Sequence, residues 1–236
     1  MASTIPGPKV VPVNVQDDHL QKIANVSRPI DAVAELVWNS LDADASEVKV
    51  VMAHNNLTGL ESIRVIDDGS GMDYRIAEDT FGHLGGSWKK DRPFTDDGRV
   101  LHGKDGRGRF KAFALGTFVT WSTGFRDPES KDIVEYTIKG DWNHLREFQL
   151  SDFKVSKKKR TGTDVEIRNF AKDYPSLEGD RAVQLVTEQF ALYLRQYPTV
   201  RIVYNGTLSI RTRCANTRAS IACPRSGSAR RSIRPR

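Results

Sequence analysis

Alternation of apolar and polar positions divides the chain into short strands and a few helices. Residues 47–53 (EVKVVMA), 61–66 (ESIRVI), 117–122, 133–139, 164–168 (DVEIR) and 200–204 are rich in β-branched and aromatic residues and are expected as strands. Segments 17–25, 30–41, 74–81, 110–115 and 180–195 are expected as helices. Ser27 is placed to cap the helix over 30–41, with Pro29 in its first turn. HNNLTG links the first two strands as a turn, and the 200–204 strand ends at Asn205-Gly206. The first fifteen residues, rich in Pro and Val, are expected to be extended. There is no internal repeat. Helices mixed with β-hairpins favour an α+β fold with a largely antiparallel sheet over a parallel βαβ arrangement.

The helix over 30–41 has an inverted amphipathic pattern. At about 100° per residue, Glu35, Asn39 and Asp42 fall within a narrow face, roughly 60° wide. Ala34, Leu36, Val37, Trp38 and Leu41 cover most of the remainder. A helix this apolar is normally buried, and burying Glu, Asn and Asp without partners costs several kcal/mol. Two readings stand on helix geometry alone. Either the stripe lines a cavity with water, metal or ligand, or Glu35 and Asp42 reach solvent or pair with Lys and Arg.

A second cluster, IRVIDDGSGM (residues 63–72), runs from an apolar strand through two aspartates into a Gly-x-Gly turn. Asp67 is placed to accept from an amino group at the edge of a flat ligand, with Gly69 and Gly71 keeping side chains out of its path. An EF-hand is excluded, because the alternating oxygen ligands and closing Glu are missing. In TGTDVEI (161–167), Thr163 puts a hydroxyl at the start of a strand. The stretch HGKDGRGRFKAFALG (102–116) places glycines before an apolar, helix-like run, a pattern suited to phosphate oxygens. It is not a Walker loop, since Arg109 and Phe110 follow Gly108 where Lys and Ser/Thr are needed. It is not a dinucleotide fingerprint either, since Lys111 stands at the third glycine position. Residues 82–109 form a long Gly-, Asp- and Lys-rich loop of the kind that is usually functional in a compact domain.

Charge adds little until it is divided. The 236-residue chain carries a net charge of +6, but residues 207–236 hold eight arginines and no acid. The remainder has 28 basic and 30 acidic residues, so the tail alone sets the basic balance. That tail is expected to be a disordered or non-native end; a basic arm for nucleic acid is the other reading. The two cysteines, Cys214 and Cys223, lie in it without a nearby His and are expected as free thiols. No apolar run has the length of a membrane span, and the start lacks a secretory pattern, so no membrane association and a cytoplasmic location are expected.

Taken in order, E-x-x-x-N-x-x-D-A (Glu35, Asn39, Asp42, Ala43), D-x-G-x-G (Asp67, Gly69, Gly71), G-x-x-G-x-G (Gly103, Gly106, Gly108) and G-T (Gly162, Thr163) resemble the GHKL ATPases: gyrase B subunits, ninety-kilodalton heat-shock chaperones, histidine kinases and MutL. ELVWNSLDADA is most similar to the MutL and MORC members. The resemblance spans about residues 17–206, which would be the ATP-binding domain between an extended 1–16 segment and the tail. It implies a two-layer α/β sandwich, the Bergerat fold, with ATP and Mg²⁺ as ligands. Glu35 would be the general base, Asn39 the Mg²⁺ ligand and Asp67 the partner of the adenine amino group, with Thr163 and a water helping. Asp42, Gly69, Gly71 and Met72 would shape the nucleotide pocket. Gly103, Gly106 and Gly108 would end a lid over residues 82–109 and wrap the phosphates. A carboxylate at position 35 argues for hydrolysis over transfer to histidine. Ser87-Trp88-Lys89 approximates a lid element of MutL- and MORC-like members. The resemblance also implies lid closure coupled to an ATP-dependent homodimer. Hydrolytic members receive a catalytic Lys or Arg from a following domain, so a module of a longer protein, or a truncated product with slow turnover, is expected. The competing functions are a nucleotide-sensing interaction module without significant turnover and a DNA-associated protein using the tail.

Overall fold

The computed structural model describes residues 9–12, 28–82, 93–102, 108–145, 147–157, 159–206 and 208–209. The strands are β1 (Lys9–Pro12), β2 (Glu47–His54), β3 (Leu60–Asp67), β4 (Phe118–Arg126), β5 (Ile133–Asp141), β6 (Glu147–Leu150), β7 (Lys154–Val155), β8 (Gly162–Arg168), β9 (Arg201–Tyr204) and β10 (Leu208–Ser209). The helices are α1 (Pro29–Asp42), α2 (Tyr74–Gly82), the single turn α3 (Gly108–Lys111) and α4 (Gly179–Gln196). Ten strands form one sheet in the order β1-β6-β5-β4-β8-β3-β2-β9-β10, with β7 paired to β5. Every pairing is antiparallel except β2 with β9. The architecture is the expected α+β two-layer sandwich, a mostly antiparallel sheet with helices packed on one face.

The period-2 pattern explains the layering. In β4, Val119, Trp121, Thr123 and Phe125 point inward, and in β5 Val134, Tyr136, Ile138 and Gly140 do so, while the residues between them are less buried. β2 buries Val48, Val50 and Met52 and exposes Lys49, Val51 and Ala53. α1 lies over β2 and β3, with Ala32, Val33, Ala34, Val37 and Leu41 fully buried. Phe148 on β6 joins the aromatic half of the core, meeting Phe81 of α2, Phe110 of α3 and Trp121 of β4 edge-on at centroid separations of 5.0, 5.8 and 5.9 Å.

Several expectations are corrected. α1 is capped at Arg28, whose side chain caps nothing and instead pairs with Asp31 at 2.8 Å; Ser27 and the helix expected over 17–25 lie outside the described residues. The helix expected over 110–115 begins earlier, and after α3 it tightens into a 3₁₀ turn over Ala112–Ala114. The Tyr174 hydroxyl satisfies the carbonyls of Ala114 and Leu115 where the helix ends. β6 and β7, of four and two residues, lie outside the expected strands because neither is long enough for alternation to stand out. Within the 82–109 loop, residues 93–102 fold back on themselves: Phe94 and Val100 bridge, the Leu101 amide donates to the Pro93 carbonyl, and Leu101 is buried.

Phe148→Ala is expected to lower the unfolding free energy by about 3–5 kcal/mol in urea denaturation, because three aromatic neighbours lose the ring they converge on.

Candidate functional site

α1 carries the polar stripe because its apolar residues fix its rotation against the sheet. Glu35 and Asn39 remain half-buried on the open side, and Asp42 is 5% exposed at the helix end. Both carboxylates have partners from the protein itself. Glu35 Oε2 accepts from Lys111 Nζ at 2.8 Å. Asp42 Oδ1 accepts from the His102 amide at 2.8 Å. The stripe is thus ion-paired at Glu35 and bonded to a loop amide at Asp42, through contacts made from α3 and from residues 93–102.

Gly108 comes so near Glu35 that a Cβ would lie 2.5 Å from Oε1. No other residue type fits there without moving the carboxylate. Gly103 and Gly106, with Ser87-Trp88-Lys89, lie outside the described residues.

The aspartate cluster is built on the end of β3. Asp67 Oδ1 accepts from the amides of Gly69 (2.9 Å) and Thr163 (3.0 Å), and the Ser40 hydroxyl of α1 is a further hydrogen-bonding neighbour. Burial pushes the Asp67 carboxyl up to about 6, against the pull of the Gly69 amide, the Ser40 hydroxyl and the Thr163 amide. Asp68 faces the other way. Burial works against its charged form, but the Ser46 hydroxyl and the Glu47 and Ser46 amides outweigh it and hold the carboxyl below its ordinary value.

The Gly-x-Gly turn is required by the protein's own backbone as much as by any ligand. A Cβ on Gly69 would lie 2.5 Å from the Ala43 carbonyl, the same carbonyl that accepts from the Ser70 amide at 2.7 Å. Gly71 has φ +74°, and a Cβ there would lie 2.0 Å from the Gly124 carbonyl. The Met72 amide donates to Thr123 Oγ1 at 2.9 Å, and Thr123 and Thr163 share a hydrogen bond of 3.1 Å across the β4–β8 pairing. Asp67, Gly69, Gly71, Met72 and Thr163 thus form one connected group. Ser40 and Ala43 join it to the end of α1.

Lys111, Ser40, Thr123, Trp38 and His102 were not among the candidate site residues. Thr123 had a usable signal, since alternation in FVTWSTGFR puts it inward with Trp121 and Phe125. Trp38 stacks on the His102 ring at 3.6 Å with a 9° tilt and also meets Phe190 and Tyr193 of α4. No local pattern announced that stack or the Lys111–Glu35 pair, because each joins segments more than sixty residues apart.

A divalent ion would not find a complete cage here: among the described residues, no group of three or more His, Cys, Asp and Glu stands together to hold one. The Asn39 side-chain amide, half-buried on the open side of α1, is an oxygen donor of the kind Mg²⁺ accepts alongside water and phosphate oxygens. Among the described residues no helix is long and apolar enough to cross a membrane.

The chain belongs to the histidine kinase-, DNA gyrase B- and HSP90-like ATPase family, whose model matches residues 27–163, more than half of its length. The family match identifies the chain as an ATP-binding ATPase module. Among its relatives are DNA mismatch repair proteins MutL. That of Bacillus licheniformis is 44% identical over 64 residues, which is 26% of this chain and 10% of the relative. That of Methanocorpusculum labreanum is 35% identical over 111 residues, 46% of this chain and 18% of the relative. That of Mesorhizobium japonicum is 55% identical over 47 residues, 20% of this chain and 7% of the relative. Each match spans less than a fifth of the relative's own length.

The raised Asp67 carboxyl makes a signed prediction. Its folded-state value of about 6 lies above the ordinary 3.8, so the folded protein takes up this proton first. Relative to Asp67→Asn, the wild type is expected to gain roughly 2 kcal/mol of stability as pH falls from 7 to 4, read by urea denaturation at several pH values.

Proposed function

We propose that this chain binds Mg-ATP and hydrolyses it, with Glu35 as general base, Asn39 as the protein ligand of Mg²⁺ and Asp67 as the acceptor for the adenine amino group. The observation that supports this reading most is the continuity of the two clusters. The Asp67 carboxyl touches Ser40, and the turn after it is tied to Ala43, so the base-reading and phosphate-facing groups stand on one rigid helix end. With two backbone amides on Oδ1, the Asp67 carboxyl is held in one orientation.

Mg²⁺ held at Asn39 would supply positive charge against the phosphates of ATP. The chain's own groups do the rest. The Asn39 amide oxygen is a hard, neutral donor suited to that ion. Glu35, hydrogen-bonded by Lys111, accepts the proton of an attacking water. Thr163 and the buried Thr123 hydroxyl brace the adenine side, and Asp42, Gly69, Gly71 and Met72 form its walls. Backbone amides of Gly103, Gly106 and Gly108 turn toward the phosphates as the lid over residues 82–109 closes, and that closure is coupled to homodimer formation. The Lys or Arg of a following domain, in a longer protein, would raise a slow basal turnover.

Glu35→Gln is expected to bind a fluorescent ATP analogue within a few-fold of wild type while phosphate release at saturating Mg-ATP falls at least about a hundredfold. Unchanged turnover removes Glu35 from the role of base. Turnover absent in the wild type, with binding intact, favours a nucleotide-sensing module instead. Asp67→Asn is expected to abolish binding, because its amide presents a donor toward the adenine amino group.

A further inference from the structure

Lys111 lies outside every motif that led to the nucleotide site, yet it makes the most direct contact with the proposed base. Its ammonium is 2.8 Å from Glu35 Oε2, with the two side chains 33% and 23% exposed. Among the described residues Glu35 has no other hydrogen-bond partner. Its second oxygen faces Gly108, three residues before Lys111 on the same helical turn, at a distance that admits no side chain. Both ends of the carboxylate are therefore fixed from α3, one by charge and one by close approach.

A glutamate left on its own rotates about three side-chain bonds, and each rotation moves its lone pairs by ångströms. One ammonium occupies one of about four acceptor positions on the carboxylate and so does not use up its capacity to accept. We propose that Lys111 is a positioning residue for the hydrolytic reaction: it holds the Glu35 carboxylate in the orientation from which that group accepts the water's proton. The proposal rests on the reading of Glu35 as base. It also gives α3 a role beyond closing the glycine loop. Any shift of α3 carries Gly108 and Lys111 together and reorients the base.

The contact is half-exposed, so its value for stability is small. Its value for rate is larger, since a misplaced base is costly even when its chemistry is intact.

The test uses the full chain, with ATP-analogue affinity and phosphate release measured separately for Lys111→Met, Lys111→Arg, Glu35→Gln and the Lys111→Met/Glu35→Gln pair. Lys111→Met is expected to keep nucleotide affinity within about threefold and to lower phosphate release at least about tenfold. Lys111→Arg restores most of the rate, because the guanidinium keeps the charge and the hydrogen bond. The double variant is no slower than Glu35→Gln alone, as expected when one residue acts only through the other. Three results overturn the proposal: an unchanged or faster rate in Lys111→Met, an additive loss in the double variant, or a loss confined to nucleotide affinity, which would make Lys111 a contact of the ligand itself. If Glu35→Gln keeps full turnover, the reading of the base fails first, and the two failures are told apart by that single variant.

Discussion

The site depends on the burial of α1. Its apolar residues press on β2 and β3 from one side and on α3 and α4 from others, so only one rotation of the helix buries Val33, Val37 and Leu41 completely. That rotation leaves Glu35 and Asn39 as the polar groups at the open face. Ser40, one position on, turns inward, donating to the Leu36 carbonyl and standing against Asp67. A helix with a broader polar face would have had rotational freedom, and the relation between Glu35 and Asp67 would have loosened with it.

A second theme is the use of carboxylates as caps for loop amides. Asp42 takes the amide of His102, Asp44 that of Asp97 together with the Thr95 hydroxyl, Asp67 those of Gly69 and Thr163, and Asp68 those of Ser46 and Glu47. Loops near a ligand site leave backbone donors unsatisfied, and a short acidic side chain satisfies two at once. Arg99 completes the arrangement on the α1 side, donating to the Ala45 carbonyl at 2.6 Å beside Asp44. The two Asp-rich stretches, LDADAS and IDDGSG, thus organise the backbone at the end of α1 and after β3.

Much of the architecture was legible along the chain. β2, β3, β5, α1, α2, α4 and β9 lie within a residue or two of the expected boundaries, since each has strong periodicity and a turn or glycine at its end. The shortest elements escaped: β6 and β7 have four and two residues, too few for alternation alone to mark a strand, and both pair with β5. The Glu-Asn-Asp stripe and the Asp67 turn were legible because helical and turn geometry are local. The reason for the glycines was only half legible. Clearing space for a ligand follows from residue type, whereas the approach of Gly71 to the Gly124 carbonyl follows from the way β4 lies against the turn.

The α+β class, the inverted helix and the residues able to carry the chemistry follow from the chain alone, from its periods of 3.6 and 2 and the functional groups present. Which of those groups meet is a matter of packing. Lys111 on Glu35, His102 on Trp38 and Thr123 on Thr163 join positions 76, 64 and 40 residues apart. Such contacts are set by how helices and strands stack, and no local pattern in the chain records them.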